Sequence, residues 1–458
     1  MPPTLRTPDS RPARSTRRSF LARGGQTAAT VALASLARPR ARAAGDNDTI
    51  QLALIGCGGR GSGAVRDAFD ATGGPVKLTA MADLFENRLN AAHKNLTTAF
   101  GDRIDVPPEQ RFLGFDAYRR AIDTLRPGRD VAMLTGYAGF RPGQLEYAVQ
   151  RGVHVFMEKS FATDPVGIRR ILAAAEEADR KGVKIAAGLQ CRHSVNRQEL
   201  IKRIRDGALG DIHQIRAYRM EASGPLRPRP AATPELEWQL RNFTKFYWVS
   251  GGLWAEMDIH QVDEICWLKD QWPVTAHGVG GRIATSTDLS QNLDSFSVEW
   301  TFPDGAKGYD VVRYVPRCYN DFVTYVHGTK CAAQFSGKVH AGTVRIFKDQ
   351  RCEPDNIAWE APPEKLTPWQ AEWQVFLDAI RQNRPHNEAK RAAYANLADI
   401  MGRAAVHMGR IITWKEALAS NFTWCADIDR LSFDAPPPVK ADAQGRYPVP
   451  VPGQWTEI

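Results

Sequence analysis

Hydrophobic and polar positions along the chain follow two successive patterns. From residue 50 to about 190, compact apolar runs alternate with stretches whose apolar residues return every three or four positions. The first run, Gln51–Ile55, meets a glycine-rich turn and then an amphipathic stretch, Ala64–Phe69. There follow Val76–Ala82 (strand), Asp116–Leu125 (helix), Asp130–Thr135 (strand), Arg141–Arg151 (helix), Val153–Met157 (strand), Pro165–Lys181 (helix) and Val183–Leu189 (strand). This alternation predicts a parallel sheet with helices on both faces. A bridging helix, Ser194–Arg205, closes the region. Beyond Asp211 the runs Ile212–Met220, Val274–Ile283, Asp294–Phe302, Ala306–Val315, Phe322–His327, Cys331–Phe335 and Thr343–Lys348 read as strands. Several are joined by short turns such as Pro303-Asp304-Gly305, which predicts a largely antiparallel sheet. Helices return at Pro368–Gln382 and Lys390–Arg410, and the Pro-rich tail after Phe433 is expected to run as an extended strap over the surface.

The glycine-rich turn carries the first candidate chemistry. Gly56-x-Gly58-Gly59-Arg60-Gly61 stands between a strand and a helix. There one glycine turns the backbone, one lets it approach a pyrophosphate, and one lets helix and strand pack closely. Asp83 ends the second strand, 22 positions after Gly61, where a carboxylate accepts from both ribose hydroxyls. Strand, loop, helix and acid together predict a dinucleotide site that favours NAD, with Arg60 able to tolerate the 2′-phosphate of NADP. The expected fold is therefore α/β: an N-terminal Rossmann dinucleotide-binding domain at 45–190, and a C-terminal α+β domain at 191–458 with a large, mostly antiparallel open sheet.

Residues 1–44 read differently. Arg17-Arg18, a weakly apolar middle at Thr27–Ala37 and Ala41-Arg42-Ala43 describe a twin-arginine export signal, removed near Ala43/Ala44. The apolar part is too short and interrupted to anchor in a membrane. The first 43 residues hold nine arginines and one acid, Asp9, so the net charge of +9 belongs almost wholly to them. The remainder is near neutral, with no basic stripe for nucleic acid. Seven scattered cysteines without a C-x-x-C pair argue against a disulfide framework or a zinc knuckle. Such a protein folds, and can load a cofactor, before export to the periplasm.

Two further landmarks supply acids and bases. Glu158-Lys159-Ser160 follows the strand Val153–Met157, at the sheet edge where open α/β folds bind ligands. Glu256, His260 and Asp263 fall at i, i+4 and i+7 after Gly251-Gly252, on one helix face. Such a row suits proton transfer, with a carboxylate orienting the imidazole. It is poor evidence for a metal, and none is expected there. A solvated helix face, and a Lys merely capping a strand, are the plain alternatives. Tyr247, Trp248 and Trp254 flank the helix start, where they either stack on a sugar ring or pack in the core. Arg192 is a further candidate for the site wall.

In this order the motifs resemble the Gfo/Idh/MocA oxidoreductases, named for glucose–fructose oxidoreductase, inositol dehydrogenase and a rhizopine-catabolism protein. The resemblance runs from about Ile50 to Trp414 and includes Ala379-Ile380-Arg381-Gln382-Asn383-Arg384-Pro385. Ser160 replaces the proline of the family's Glu-Lys-Pro, Glu256 replaces its usual Asp, and Thr135–Phe140 lacks the His common after the fourth strand. The resemblance implies that Gly56, Gly58, Gly59, Arg60, Gly61, Asp83, Glu158 and Lys159 hold the cofactor. It implies Lys159, His260 and Glu256 as the catalytic set. Lys159 would meet the substrate hydroxyl and His260 would move its proton, with Asp263 behind the imidazole, and Tyr247, Trp254 and Asp263 are candidate substrate contacts.

The expected activity is hydride transfer between a sugar or polyol hydroxyl and a tightly bound nicotinamide cofactor, in a homo-oligomer. An NAD-dependent glycoside hydrolase working by transient oxidation, elimination and re-reduction is the alternative. A non-catalytic sugar-binding protein is the second.

Overall fold

The computed structural model describes residues 48–71, 73–337 and 343–458; the expected export signal at 1–44 lies outside them. The parallel half is built from β1 (Ile50–Ile55), α1 (Gly59–Asp70), β2 (Val76–Asp83), α2 (Glu86–Phe100), β3 (Arg111–Leu113), α3 (Ala117–Asp123), β4 (Val131–Leu134), α4 (Arg141–Gln150), β5 (His154–Met157), α5 (Pro165–Lys181) and β6 (Ile185–Ala187). Among the described residues these strands make a six-stranded sheet in the order β3-β2-β1-β4-β5-β6, with every neighbouring pair parallel. The central strands β1, β4 and β5 are almost wholly buried, as a sheet covered on both faces requires. The strand order reverses between β1 and β4, which opens a crevice at the carboxyl ends of those two strands.

The second half begins with α6 (Val195–Arg205), β7 (Ile212–Met220), α7 (Glu235–Arg241), α8 (Tyr247–Ser250) and α9 (Gly252–Lys269). It continues through β8 (Thr275–Gly281), β9 (Ser295–Thr301), β10 (Lys307–Arg313), β11 (Asp321–Gly328), β12 (Ala332–Gly337), β13 (Arg345–Phe347) and β14 (Ile357–Glu360). It ends with α10 (Pro368–Arg381), α11 (Ala389–Met408), β15 (Ile412–Thr413) and α12 (Trp414–Ala419). Among the described residues its strands form a nine-stranded sheet, β14-β13-β12-β11-β7-β10-β9-β8-β15. Its neighbouring pairs are antiparallel except β7 with β10, which a crossover through α9, β8 and β9 makes parallel. Strands such as β10 alternate buried and half-buried positions, as expected where one face packs on helices.

Both sheets belong to one compact unit, Thr49–Ile458. Helix α11 joins them: it packs against α5 on one side and against α9, β8 and β9 on the other. Helix α10 returns to the parallel half, where Trp373 stacks on Phe156 of β5 at 4.3 Å between ring centroids. The tail runs over the surface without regular structure, as expected, and is pinned at a few buried residues. Tyr447 is buried, and Glu457, one residue from the chain end, is fully enclosed between Arg403 and His407.

Candidate active site

The glycine loop has the three shapes its spacing implies. Gly56 adopts φ +100°, and a side chain there would collide with the backbone of Thr135 and Gly136. A side chain on Gly61 would press into the Gly56 carbonyl and the Thr135 hydroxyl, so only hydrogen lets α1 lie this close to β1. At Gly58 and Gly59 a Cβ would meet nothing within 4 Å. That open side faces a cavity of about 670 Å³ whose wall includes Gly56, Gly58, Gly59, Arg60, Gly61, Asp83, Lys159 and Glu256. Helix α1 starts there with no side-chain cap, so its first amides and positive dipole end remain available to an anion. The Asp83 carboxylate accepts from the Cys57 amide (2.6 Å) and the Phe85 amide (2.8 Å), which ties the end of β2 to the loop. Burial raises its pKa, against the amides that lower it. Loop, acid and cavity fit a dinucleotide.

Arg60 Nε donates to Glu158 Oε1 at 2.6 Å, and its Nη2 pairs with Asp67 at 2.9 Å. Burial works against the charged guanidinium, but the two carboxylates outweigh it and hold its pKa above the ordinary value. The arginine expected to tolerate a 2′-phosphate is thus already engaged. Glu158 is buried and lies outside the cavity wall. Its role is to hold Arg60, which corrects its placement among residues touching a cofactor.

Lys159 crosses from the end of β5 to α9. Its Nζ donates to the Glu256 carbonyl and lies 3.0 Å from Glu256 Oε2, with both side chains still partly open to the cavity. A strand-capping lysine in solvent does not describe this group. The Lys159–Ser160 peptide is cis, and the Ser160 hydroxyl donates to the Ala255 carbonyl at 2.6 Å. Beneath it Arg141 is fully buried and donates to the carbonyls of Ser160 and Gly136. Burial pulls the Arg141 pKa down to about 10, with Glu256 and Glu158 opposing it.

Helix α9 is buried along both faces, so the solvated-face alternative fails. His260 lies one turn beyond Glu256, is 5 % exposed, and is not part of the cavity wall. Asp263 is engaged elsewhere: Arg192 grips it through Nε (2.8 Å) and Nη2 (2.7 Å), while the same guanidinium sits over the Trp267 ring. Substrate contact by Asp263, and a site-wall position for Arg192, are therefore corrected to a buried bidentate pair. Tyr247 and Trp254 are each 1 % exposed. The Tyr247 hydroxyl donates to the Gln291 carbonyl (2.9 Å), and Trp254 Nε1 to the Asp399 carbonyl (3.1 Å) beside Phe296 and Trp300. Trp248 donates to Gln239 (2.7 Å). Rings enclosed in this way cannot stack on a sugar; all three belong to the core.

Sequence reasoning missed the aromatic wall opposite the loop. Phe115, Tyr137, Phe140 and Phe243 line the cavity, Tyr137 lying 5.3 Å from Phe243 between centroids, and Arg88 donates to the Tyr137 hydroxyl at 2.5 Å. Tyr137 and Phe140 sit in the loop after β4, at the switch point where a ligand is expected. That position was the available signal.

Residues 198–334 match the GFO/IDH/MocA C-terminal domain. The rhizopine catabolism protein MocA of Rhizobium meliloti is 22 % identical over 352 residues, which are 76 % of this chain and 92 % of that protein. An aldose-aldose oxidoreductase from Caulobacter crescentus, solved with glycerol, aligns with a TM-score of 0.62 at 19 % identity, covering 80 % of this chain and 99 % of its own. A scyllo-inositol dehydrogenase from Lactobacillus casei, solved with NAD(H) and scyllo-inositol, aligns with a TM-score of 0.59 at 20 % identity over the same shares, 80 % and 99 %. The two solved structures share the fold; the domain match and the relative support the Gfo/Idh/MocA family.

Proposed function

We propose that this Gfo/Idh/MocA relative is an exported, NAD-dependent oxidoreductase acting on a hydroxyl of a sugar or polyol. The observation that carries the reading is the Lys159–Glu256 pair, which opens into the same cavity as the Gly56–Gly61 loop and Asp83. NAD, when bound, supplies the acceptor and donor of hydride. The chain does the rest. Gly58 and Gly59 leave room for a pyrophosphate against the backbone, and the start of α1 faces its charge. Asp83 accepts from ribose hydroxyls and repels a 2′-phosphate, and Arg60, already engaged, offers that phosphate no counter-charge. Lys159 donates to the substrate oxygen and stabilises negative charge on it. Glu256, which opens into the cavity, receives or returns the hydroxyl proton, and His260 lies buried one turn further along α9. Residues 45–190 serve the nucleotide and 191–458 the substrate and self-association.

Arg17-Arg18 mark the chain for passage across the membrane in folded form, with NAD aboard. Outside the cytoplasm the cofactor must be reset within the cycle, and a second sugar as oxidant meets that need; the name of the Caulobacter relative describes such a pair of aldoses for that enzyme.

Mass spectrometry of gently denatured protein should release NAD from wild type and from Lys159→Ala. Single-turnover reduction of that NAD by a panel of sugars should slow by about 10²–10³ in the variant, the range for losing one preorganised charge. Reduction at the wild-type rate in Lys159→Ala would overturn the assignment.

A further inference from the structure

Outside the cavity, at the edge of the parallel sheet, three segments far apart in sequence bring metal-ligating side chains together. His193 comes from the turn before α6, Glu372 from α10 and Glu388 from the residue preceding α11. One ligand atom from each lies within 4.8 Å of the others. His193 Nε2 stands 3.4 Å from Glu388 Oε1, about the edge of a tetrahedron whose metal–ligand bonds are roughly 2.0–2.1 Å. Glu372 is 1 % exposed, and neither of its oxygens has a hydrogen-bond partner. A carboxylate enclosed without a donor is costly, and a proton or a cation relieves it. His386 stands by Glu388: its buried Nε2 is also without a hydrogen bond, 3.9 Å from Glu388 Oε2.

We propose that these residues bind one divalent transition cation of the zinc type, with His193, Glu372 and Glu388 as its protein ligands and solvent completing the shell. Mixed imidazole and carboxylate donors select such an ion over calcium or magnesium, which prefer all-oxygen shells. Two carboxylates balance its charge. Glu388 at present accepts from Arg391 (2.8 Å) and from the Ala187 amide (3.0 Å). Arg391 is partly exposed and can swing to solvent as the ion takes its place, while the amide bond fixes the carboxylate. The ion would fasten α10 and the start of α11 to the edge strand β6, whose backbone already pairs with residues 386–388.

The full-length chain, purified without a histidine tag and stripped with a chelator, is titrated with Zn²⁺ in a calorimeter and with Co²⁺ by visible absorption. One tight equivalent is expected per chain, with a tetrahedral Co²⁺ spectrum and a higher Tm when Zn²⁺ is present. Glu372→Gln should weaken Zn²⁺ by roughly 100-fold or more, since it removes a direct ligand. Arg391→Gln leaves every ligand in place and should tighten Zn²⁺ several-fold, a second reading should the first variant not fold. No uptake by wild type, or affinities unchanged in His193→Gln and Arg391→Gln, would overturn the site; activity on sugars enters neither reading.

Discussion

His154 shows how a single buried residue sets a pH dependence. It begins β5, the strand that leads to Lys159, and is 2 % exposed. Its Nδ1 accepts from the Lys184 amide at 3.0 Å. Burial, then the Lys184 charge, pulls its pKa down to about 4, with the Gly128 carbonyl and Asp130 opposing. In the unfolded chain the ring titrates near 6.5. The folded state therefore favours the neutral ring, and the unfolded state binds more protons between those values. The contribution is complete above about pH 6.5 and is lost as pH falls towards 4, on the order of 3 kcal/mol in all. Urea unfolding of wild type between about pH 7 and 5 should show stability falling with pH, and His154→Gln should flatten that slope. Equal slopes would place the titration on another group. At this scale the glycine loop was legible, because the needs of Gly56 and Gly61 are conformational and steric and are written in residue type. The burial of Tyr247 and Trp254 was not, because an aromatic beside a site has the same sequence signature as one beneath it.

At the scale of elements, the sequence pattern found most helices and strands and missed a few. Helix α5 has its predicted bounds, Pro165–Lys181, with Asp164 capping its start and Gly182 in the left-handed region at its end. Helix α2 was missed because its buried stripe is only Leu89, Ala92 and Leu96 among polar residues. Strands β3 and β15 are too short, at three and two residues, to show a period. Periodicity also says nothing of docking. Helix α10 was expected, but not that it would return to the parallel sheet and place Trp373 on Phe156, with Phe376 alongside. Trp373 is fully buried, so Trp373→Ala should cost about 3–5 kcal/mol by chemical denaturation. Trp373→Phe, which keeps a ring on Phe156, should recover much of it. A loss below about 1 kcal/mol for the alanine variant would mean that α10 is merely apposed to the sheet.

Across the whole molecule, the end of the chain braces the site from behind. A Pro-rich tail reads as a surface strap because its composition resists regular structure; that its last acid is enclosed depends on partners some 50 residues earlier. Arg403 of α11 is fully buried and pairs with Glu457 at 2.9 Å. It also donates to the Thr163 carbonyl (3.0 Å), beyond the turn that carries Lys159, and to the Gly251 carbonyl (3.2 Å), where α9 and Glu256 begin. His407 lies 2.8 Å from the other Glu457 oxygen, and 3.3 Å from the Tyr247 hydroxyl. One guanidinium thus holds both strands of backbone that present the Lys159–Glu256 pair, and Glu457 neutralises it. Burial opposes the Glu457 carboxylate, but His407 and Arg403 outweigh it and lower its pKa to about 2. Its stabilisation is present above its unfolded pKa near 4.3 and is lost as pH falls towards 2. Glu457→Gln keeps the shape and leaves Arg403 buried without its counter-ion, a change that costs roughly 3–5 kcal/mol when a buried pair is broken from one side. Adding Arg403→Met removes the stranded charge, so the double variant should be less damaged than the sum of the two single ones. Urea denaturation of the four proteins measures this coupling. If Glu457→Gln unfolds within about 0.5 kcal/mol of wild type, as surface substitutions do, the tail is the loose strap its composition suggests and Arg403 holds the two backbones unaided.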